Sequence, residues 1–561
     1  MSGDARLRRP LIREQTVATL LVLALIIVLV LIIALPLWSL LSKSLQNASG
    51  GYVGLANFAT YFATPSMVSA LFNSLGVALM TTLLVVPLAF AYAYALTRSR
   101  MPAKGVFMGI ALLPIFAPSL LGAISLIYLF GNQGVLKGLL FGHSIYGPIG
   151  IVFAEVCYCF PHAVMIIATG LRLADGRLYE VAEALGTKPT RVFFTITLPG
   201  VRYAAISAAF VVFTLVITDF GIPKVIGGQF TVLATDAYKQ IVGQQNFEMG
   251  AVVGLILLVP AVLAFFVDRQ IQKRQVALLS ARAVAYEPKP APMRDALLLA
   301  FSSVIGLVLV AMLGMAIWAS FIRYWPYNLS LTLAHYNFGE FEPGGWEPYL
   351  TSLAMAGCVA TFGTGLVFLG AYLVEKTKVP MPLRSLAHFL AMLPMAVPGL
   401  VLGLGYVFFI NAKSSPFGWL YGTLAVLVIN TIAHFYTVGH ITATTALKQI
   451  DGEFEAVSAS LKVPFWTTFR RVTVPISMPA ILDIAVYMFV NALTTISAVV
   501  FLYGPSTKLA SISIIHMDES GATAPAAAMA TCIVLTAIGA KTLHVVLDRL
   551  VFSRLQVWRK R

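Results

Sequence analysis

Side chains able to do chemistry are sparse in this 561-residue chain: only 11% of residues are charged and 59% are hydrophobic, where a soluble domain carries roughly 25% charged residues. Glu155 falls inside an apolar run and Asp219 near the end of another. An ionisable group at such a place costs roughly 2.5–3.5 kcal/mol on insertion scales, which makes both acids candidates for a substrate pathway that favours a cationic group. The structural alternative is that Glu155 bonds a neighbouring tyrosine or backbone group and that Asp219 caps a helix end. His162, His388 and His434 are scattered and read as packing residues. Cys157, Cys159, Cys358 and Cys532 all lie in apolar runs, with neither a disulfide framework nor a zinc spacing. There is no G-x-x-x-x-G-K-[ST] to cradle a nucleotide, and no cluster of catalytic side chains. The expectation is therefore a non-enzyme with no catalytic residue, metal site or bound cofactor of its own.

The stretch with the clearest local design is Glu180 to Pro199, EVAEALGTKPTRVFFTITLP. Residues Glu180 to Leu185 favour helix, and Gly186 stands where a helix C-terminus prefers glycine. Lys188-Pro189 follows, and a second amphipathic segment leads to Leu198-Pro199. A short helix in an aqueous loop between two apolar runs is a docking element. A degenerate copy occupies Glu455 to Pro475, EAVSASLKVPFWTTFRRVTVP, so the docking partner is expected to be two-fold.

These loops must be held by the apolar runs around them. Runs long enough to cross a bilayer, roughly 20 residues, occur near 17–41, 68–97, 106–130, 148–171, 202–222 and 248–268, and again near 297–321, 350–374, 385–410, 419–443, 477–503 and 523–546. The first follows Arg6, Arg8, Arg9 and Arg13 and is too long for a signal-peptide core, so it reads as a retained span. The fold class is thus an all-α polytopic membrane protein of about twelve transmembrane helices. Net charge is +15, but the basic residues are scattered singly, which argues against nucleic acid and for the positive-inside rule. Most of them fall in alternate loops, placing 1–16, both helix-forming loops and 547–561 in the cytoplasm. Residues 269–296 are basic and rich in Ala and Pro and read as a cytoplasmic linker. The halves are repeats: Asn73-Ser74-Leu75 matches Thr351-Ser352-Leu353, LPIFAP (113–118) matches LPMAVP (393–398), and Pro199 matches Pro475. Six spans each is an even number, so the repeats are parallel. The expected units are 17–268, with the loop at 180–199, and 297–546, with the loop at 455–475.

The spacing of Glu180, Val181, Ala182, Gly186, Ile196, Leu198 and Pro199 resembles the EAA loop of ABC importer permeases, E-A-A-x3-G-x9-I-x-L-P, with Val181 in place of the first alanine. The resemblance covers nearly the whole chain and implies the type I permease fold in a bacterial inner membrane. It also implies a separate ATPase that hydrolyses ATP-Mg, two copies for two loops, and a periplasmic solute-binding protein. A helix-in-groove contact fits this, with Ala182 allowing close approach and Glu180 pairing with a basic residue. In the second loop, aligning Pro475 with Pro199 puts Lys462 at the Gly186 position, Ala456 at the glutamate position and Glu455 one residue early. A different helix end is expected there, with Phe465 and Trp466 as aromatic anchors. Residues 218–251, with ALLSARAV and EPKP in the linker, resemble fused permeases for 2-aminoethylphosphonate. Fused permeases for ferric iron or thiamine are the wider relatives. A phosphonate would call on Lys224 and Lys239, and its amine on Asp219 or Glu155. An ion-coupled secondary transporter is the alternative of another class. It calls for several buried acids, and Glu155 and Asp219 are the only candidates.

Overall fold

The computed structural model describes residues 4–278, 284, 286–413 and 415–552. Parts of the expected linker and of both basic tails lie outside the described residues. Nearly everything described is helix. The one sheet among these residues is an antiparallel hairpin of β1 (Ile322–Tyr324) and β2 (Asn328–Leu331). In chain order the helices used below are α1 (Glu14–Ser44), α2 (Pro65–Arg98), α3 (Lys104–Phe116), α4 (Ser119–Phe130), α5 (Pro148–Arg172), α6 (Arg177–Ala184), α7 (Pro189–Thr218), α8 (Phe247–Ile271), α9 (Pro292–Ala319), α10 (Glu347–Lys376), α11 (Met381–Ala396), α12 (Gly399–Ile410), α13 (Leu424–Lys448), α14 (Glu453–Ser460), α15 (Phe465–Ile476), α16 (Met478–Thr494) and α17 (Thr523–Leu550). Among the described residues nine helices are long and apolar enough to span a membrane, or up to twelve if each bent pair is one span.

The third span of each half is not one straight helix. The chain bends by 101° between α3 and α4 and by 113° between α11 and α12. The cause lies in the repeated motif itself. Pro118 and Pro398 push the residue before them out of the helical region, and Ala117 (φ −105°, ψ 141°) and Val397 (φ −106°, ψ 117°) are extended. The fifth spans differ between halves: α7 is continuous, whereas α15 and α16 meet at 76°. Pro479, which has Tyr203 as its counterpart, lacks an N–H and its ring crowds the carbonyl four residues back.

The compact units do not follow the sequence halves 17–268 and 297–546. One unit comprises Met1–Lys43, Trp346–Ser513 and Ile533–Arg561; the other comprises Ser44–Gly345 and Ile514–Cys532. The first span of each half is therefore housed with the other half. In the unit holding the second half, α1 packs on α10 and α11. Tyr406 Oη donates to the Ile32 carbonyl at 2.7 Å, and a Cβ on Gly405 would stand 2.6 Å from the Pro36 carbonyl oxygen. Only glycine admits that approach. In the unit holding the first half, α9 lies against α2, α3 and α4, with Gly306 beside Ile110 and Gly122 beside Met312. Within that unit α2, α5, α7 and α8 form the packed core that carries the first loop helix.

Candidate functional site

The two loop helices, α6 and α14, are eight residues each and are built alike. An aspartate opens each: Asp175 Oδ1 accepts from the Arg177 N–H at 3.1 Å, and Asp451 Oδ1 from the Glu453 N–H at 3.0 Å. Such side-chain acceptors satisfy amides that the first turn leaves free. The Arg177 N–H holds the Asp175 carboxyl below the usual carboxylate range.

The ends of the two helices also coincide, contrary to the expectation of a different second end. The Gly186 N–H donates to Glu183 O at 2.8 Å and Thr187 N–H to Ala182 O at 2.9 Å; Lys462 N–H donates to Ala459 O at 3.1 Å and Val463 N–H to Ser458 O at 2.9 Å. Both closing residues are left-handed, Gly186 at φ +63° and Lys462 at φ +56°. The turn is therefore set by the packing of both loops, and the second half tolerates a lysine where a side chain is disfavoured by about 1 kcal/mol. Lys462→Gly is expected to stabilise α14 by about that amount, read as several-fold slower amide exchange across 453–460 with no change across 177–184. Unchanged or faster exchange would show that the Lys462 backbone is not strained.

Each helix turns an apolar stripe outward. Leu178, Val181 and Leu185 are exposed on α6, and Phe454, Val457 and Leu461 on α14, Leu185 and Leu461 being 76% and 70% accessible. The three pairs share the offset that relates Pro199 to Pro475, and their i, i+3, i+7 spacing puts them on one face. Sequence reasoning singled out only Val181. The missed signal was this helical spacing of large apolar residues inside a polar loop. Glu180 is exposed beside the stripe and makes no ion pair among the described residues, while its counterpart Ala456 is also exposed.

Other expected contact residues face inward. Ala182 is buried, so it packs α6 on its own unit instead of admitting a partner. Its counterpart Ser458 hydrogen-bonds Thr468. Trp466, by contrast, stays half exposed, stacking on Phe469 at 5.5 Å and lining an open apolar recess with Thr361, Gly365 and Phe368. Leu198-Pro199 and Val474-Pro475 each follow a five-residue π-helical turn, Phe193–Thr197 and Phe469–Thr473. A proline that cannot donate to the fourth carbonyl back is accommodated by widening the turn before it.

A cation at the end of each half's second span anchors the inward side of each loop helix. Arg98 is buried, donates from Nη2 to Leu171 O at 2.6 Å and lies 5.0 Å over the Tyr179 ring. Lys376 donates from Nζ to Ile450 O at 2.9 Å and pairs with Glu455 at 3.1 Å. Glu455 stands where Tyr179 does, so its register, one position early, reflects an inward anchor and not a displaced contact acid.

Of the candidates for a substrate pathway, Glu155 and Asp219 are brought together, their carboxyl groups lying beside one another, but neither lines the cavity described below. Glu155 is fully buried on α5, with Cys159 Sγ 3.8 Å from Oε2 and with Oε1 unpartnered. Asp219 accepts from the Ile222 N–H at 2.8 Å, which is the helix-capping alternative. Lys224 is paired with Glu519 at 2.5 Å and lies 4.7 Å over the Tyr238 ring. Among the histidines, His388 Nδ1 and His440 Nε2 stand 3.4 Å apart, yet no three His, Cys, Asp or Glu of the described residues form a metal-holding group. A cavity of about 370 Å³ opens at the other end of α5, lined by Tyr128, Asn132, Tyr146, Arg323, Trp325 and His335. A 25-residue helix puts this cavity about 37 Å from the first loop helix.

Two repeats of membrane-long helices, each with an exposed loop helix before its fifth span, define a multi-pass permease of the type I importer fold. The chain belongs to the family described as the binding-protein-dependent transport system inner membrane component, which matches residues 85–276 and 367–553. It is thus the membrane component of an ABC importer. It is 29% identical over 441 residues to a Haemophilus influenzae protein named for ferric transport, covering 76% of this chain and 69% of that protein. It is 28% identical over 454 residues to the ferric transport system permease protein FbpB of Actinobacillus pleuropneumoniae, covering 78% and 65% of the two chains. With the Fe(3+)-transport system permease protein FbpB 2 of Haemophilus influenzae it shares 23% identity over 488 residues, 86% and 90% of the two chains.

Proposed function

We propose that this permease carries a solute from a periplasmic binding protein into the cytoplasm, driven by a pair of ATPase subunits seated on α6 and α14. The observation that carries the reading is the pair of apolar stripes, Leu178–Val181–Leu185 and Phe454–Val457–Leu461, exposed at one repeat offset. Equivalent stripes fit equivalent grooves, hence a homodimeric ATPase that binds and hydrolyses ATP-Mg outside this chain. The excess of lysine and arginine in alternate loops supports both loop helices and both termini being cytoplasmic.

For the solute, relatives named for ferric transport over most of the chain favour ferric iron over 2-aminoethylphosphonate, whose support is confined to a few stretches of sequence. On this reading, selection of the solute rests largely in the binding protein. Reconstitution in vesicles with the cognate ATPase and binding protein is expected to give ferric uptake that requires ATP and survives an ionophore. Uptake that persists without ATP and collapses with the ionophore would make the chain an ion-coupled carrier. A binding protein that takes 2-aminoethylphosphonate and not ferric iron would reverse the solute assignment.

A further inference from the structure

The segment that joins the halves does not run free of the first loop helix. Its described part follows α6 from end to end. Before the helix, the Gly176 N–H donates to Val284 O at 2.8 Å and the Val284 N–H to Asp175 Oδ1 at 3.3 Å. At the first turn, the Tyr286 ring lies 4.5 Å from the Tyr179 ring, and the Arg98 guanidinium sits 4.5 Å over Tyr286 and 5.0 Å over Tyr179. At the last turn, Lys289 Nζ pairs with Glu183 Oε2 at 2.5 Å. The same segment is fixed to the end of α2, where Arg100 Nε donates to Pro288 O at 2.7 Å. Arg294 Nη2 donates to Lys289 O at 2.8 Å, tying it to the start of α9.

These contacts are unequal. The Lys289–Glu183 pair is more than half exposed on both sides, and water and salt screen such pairs to little net effect. Arg98 is buried, and a desolvated guanidinium between two aromatic faces is among the stronger forms of this contact. The two backbone bonds at Val284 fix the approach of the chain. Tyr286 with Val284 is therefore the anchor. Among the described residues no comparable segment lies on α14, which is tied inward by the Lys376–Glu455 pair and the Ser458–Thr468 hydrogen bond.

We propose that the linker is a positioning strap, with Tyr286 as its main positioning residue, which holds α6 in its docking pose and leaves α14 the more mobile of the two. This rests on the reading of α6 as a docking helix. The mechanical consequence is that the two ATPase contacts are not equivalent: the first is preassembled, and the second orders on contact at an entropic cost.

The test is amide exchange on the full-length permease in lipid nanodiscs, without ATPase. In Tyr286→Ala, exchange across 177–184 is expected to rise tenfold or more while 453–460 is unchanged, and Tyr286→Phe is expected to keep the wild-type pattern. In the reconstituted complex, uptake per ATP hydrolysed is expected to fall in Tyr286→Ala and to be restored in Tyr286→Phe. Unchanged exchange across 177–184, or an equal rise across both helices, would overturn the strap. Faster exchange at 177–184 with undiminished ATPase association would leave the strap standing and count against α6 as the docking element.

Discussion

Val181→Asp combined with Leu185→Asp is expected to abolish ATPase co-purification and ATP-driven uptake while leaving the permease folded. Both side chains are exposed in the free permease, so aspartate there removes no internal contact. In the docking proposed above they become buried anchors, and truncation of such an anchor costs about 2 kcal/mol or more. A desolvated carboxylate adds a further penalty. Loss of two anchors therefore lowers affinity at that loop by at least a few hundred-fold, since about 1.4 kcal/mol is tenfold. Val457→Asp with Leu461→Asp tests the second loop in the same way. Charge reversal of Glu180, by contrast, touches the first loop alone, because Ala456 occupies its place in the second. Retained co-purification and uptake in the first double variant would rule out α6 as a docking helix.

Arg98→Ala is expected to be the most damaging single change near either loop. Arg98 is buried, bonds the Leu171 carbonyl and lies between Tyr179 and Tyr286. Removal of a charged donor from a buried carbonyl costs about 1.5–3 kcal/mol, and the lost packing of its stem adds to this. The expectation is a destabilisation of about 3 kcal/mol, read as a lower midpoint of thermal unfolding in detergent, with α6 the first segment to exchange. Arg98→Lys keeps the charge but not the planar stacking and is expected to recover only part of the loss. A midpoint equal to that of the wild type in Arg98→Ala would show that the tyrosines hold α6 without the cation.

Much of the architecture was legible because membrane insertion and repetition leave strong marks. Long apolar runs, alternate basic loops and the matches of Pro199 with Pro475 and of LPIFAP with LPMAVP predicted the helices and the repeat. The readings that failed concern direction in space. Ala182 is small and falls in the motif, which suggests a contact residue, but it is buried against its own unit. Glu455 does stand one position early, opposite Tyr179, and only its role as an inward anchor for Lys376 lies beyond the motif. Lys462 was expected to change the helix end, and it adopts the left-handed turn of Gly186. In each case residue type suggested a role, and the neighbour across the loop set it.

By itself, then, the sequence determined a polytopic helical permease of two parallel repeats with a helix-forming loop before each fifth span. Hydrophobic length and period are local properties that survive without knowledge of the fold. Tertiary structure alone decided the exchange of first spans between units and the hold of the linker on α6. These depend on close approaches between segments distant in sequence, such as Gly405 against Pro36 and Tyr286 against Arg98. No local pattern encodes them, because each is a property of two surfaces and not of one.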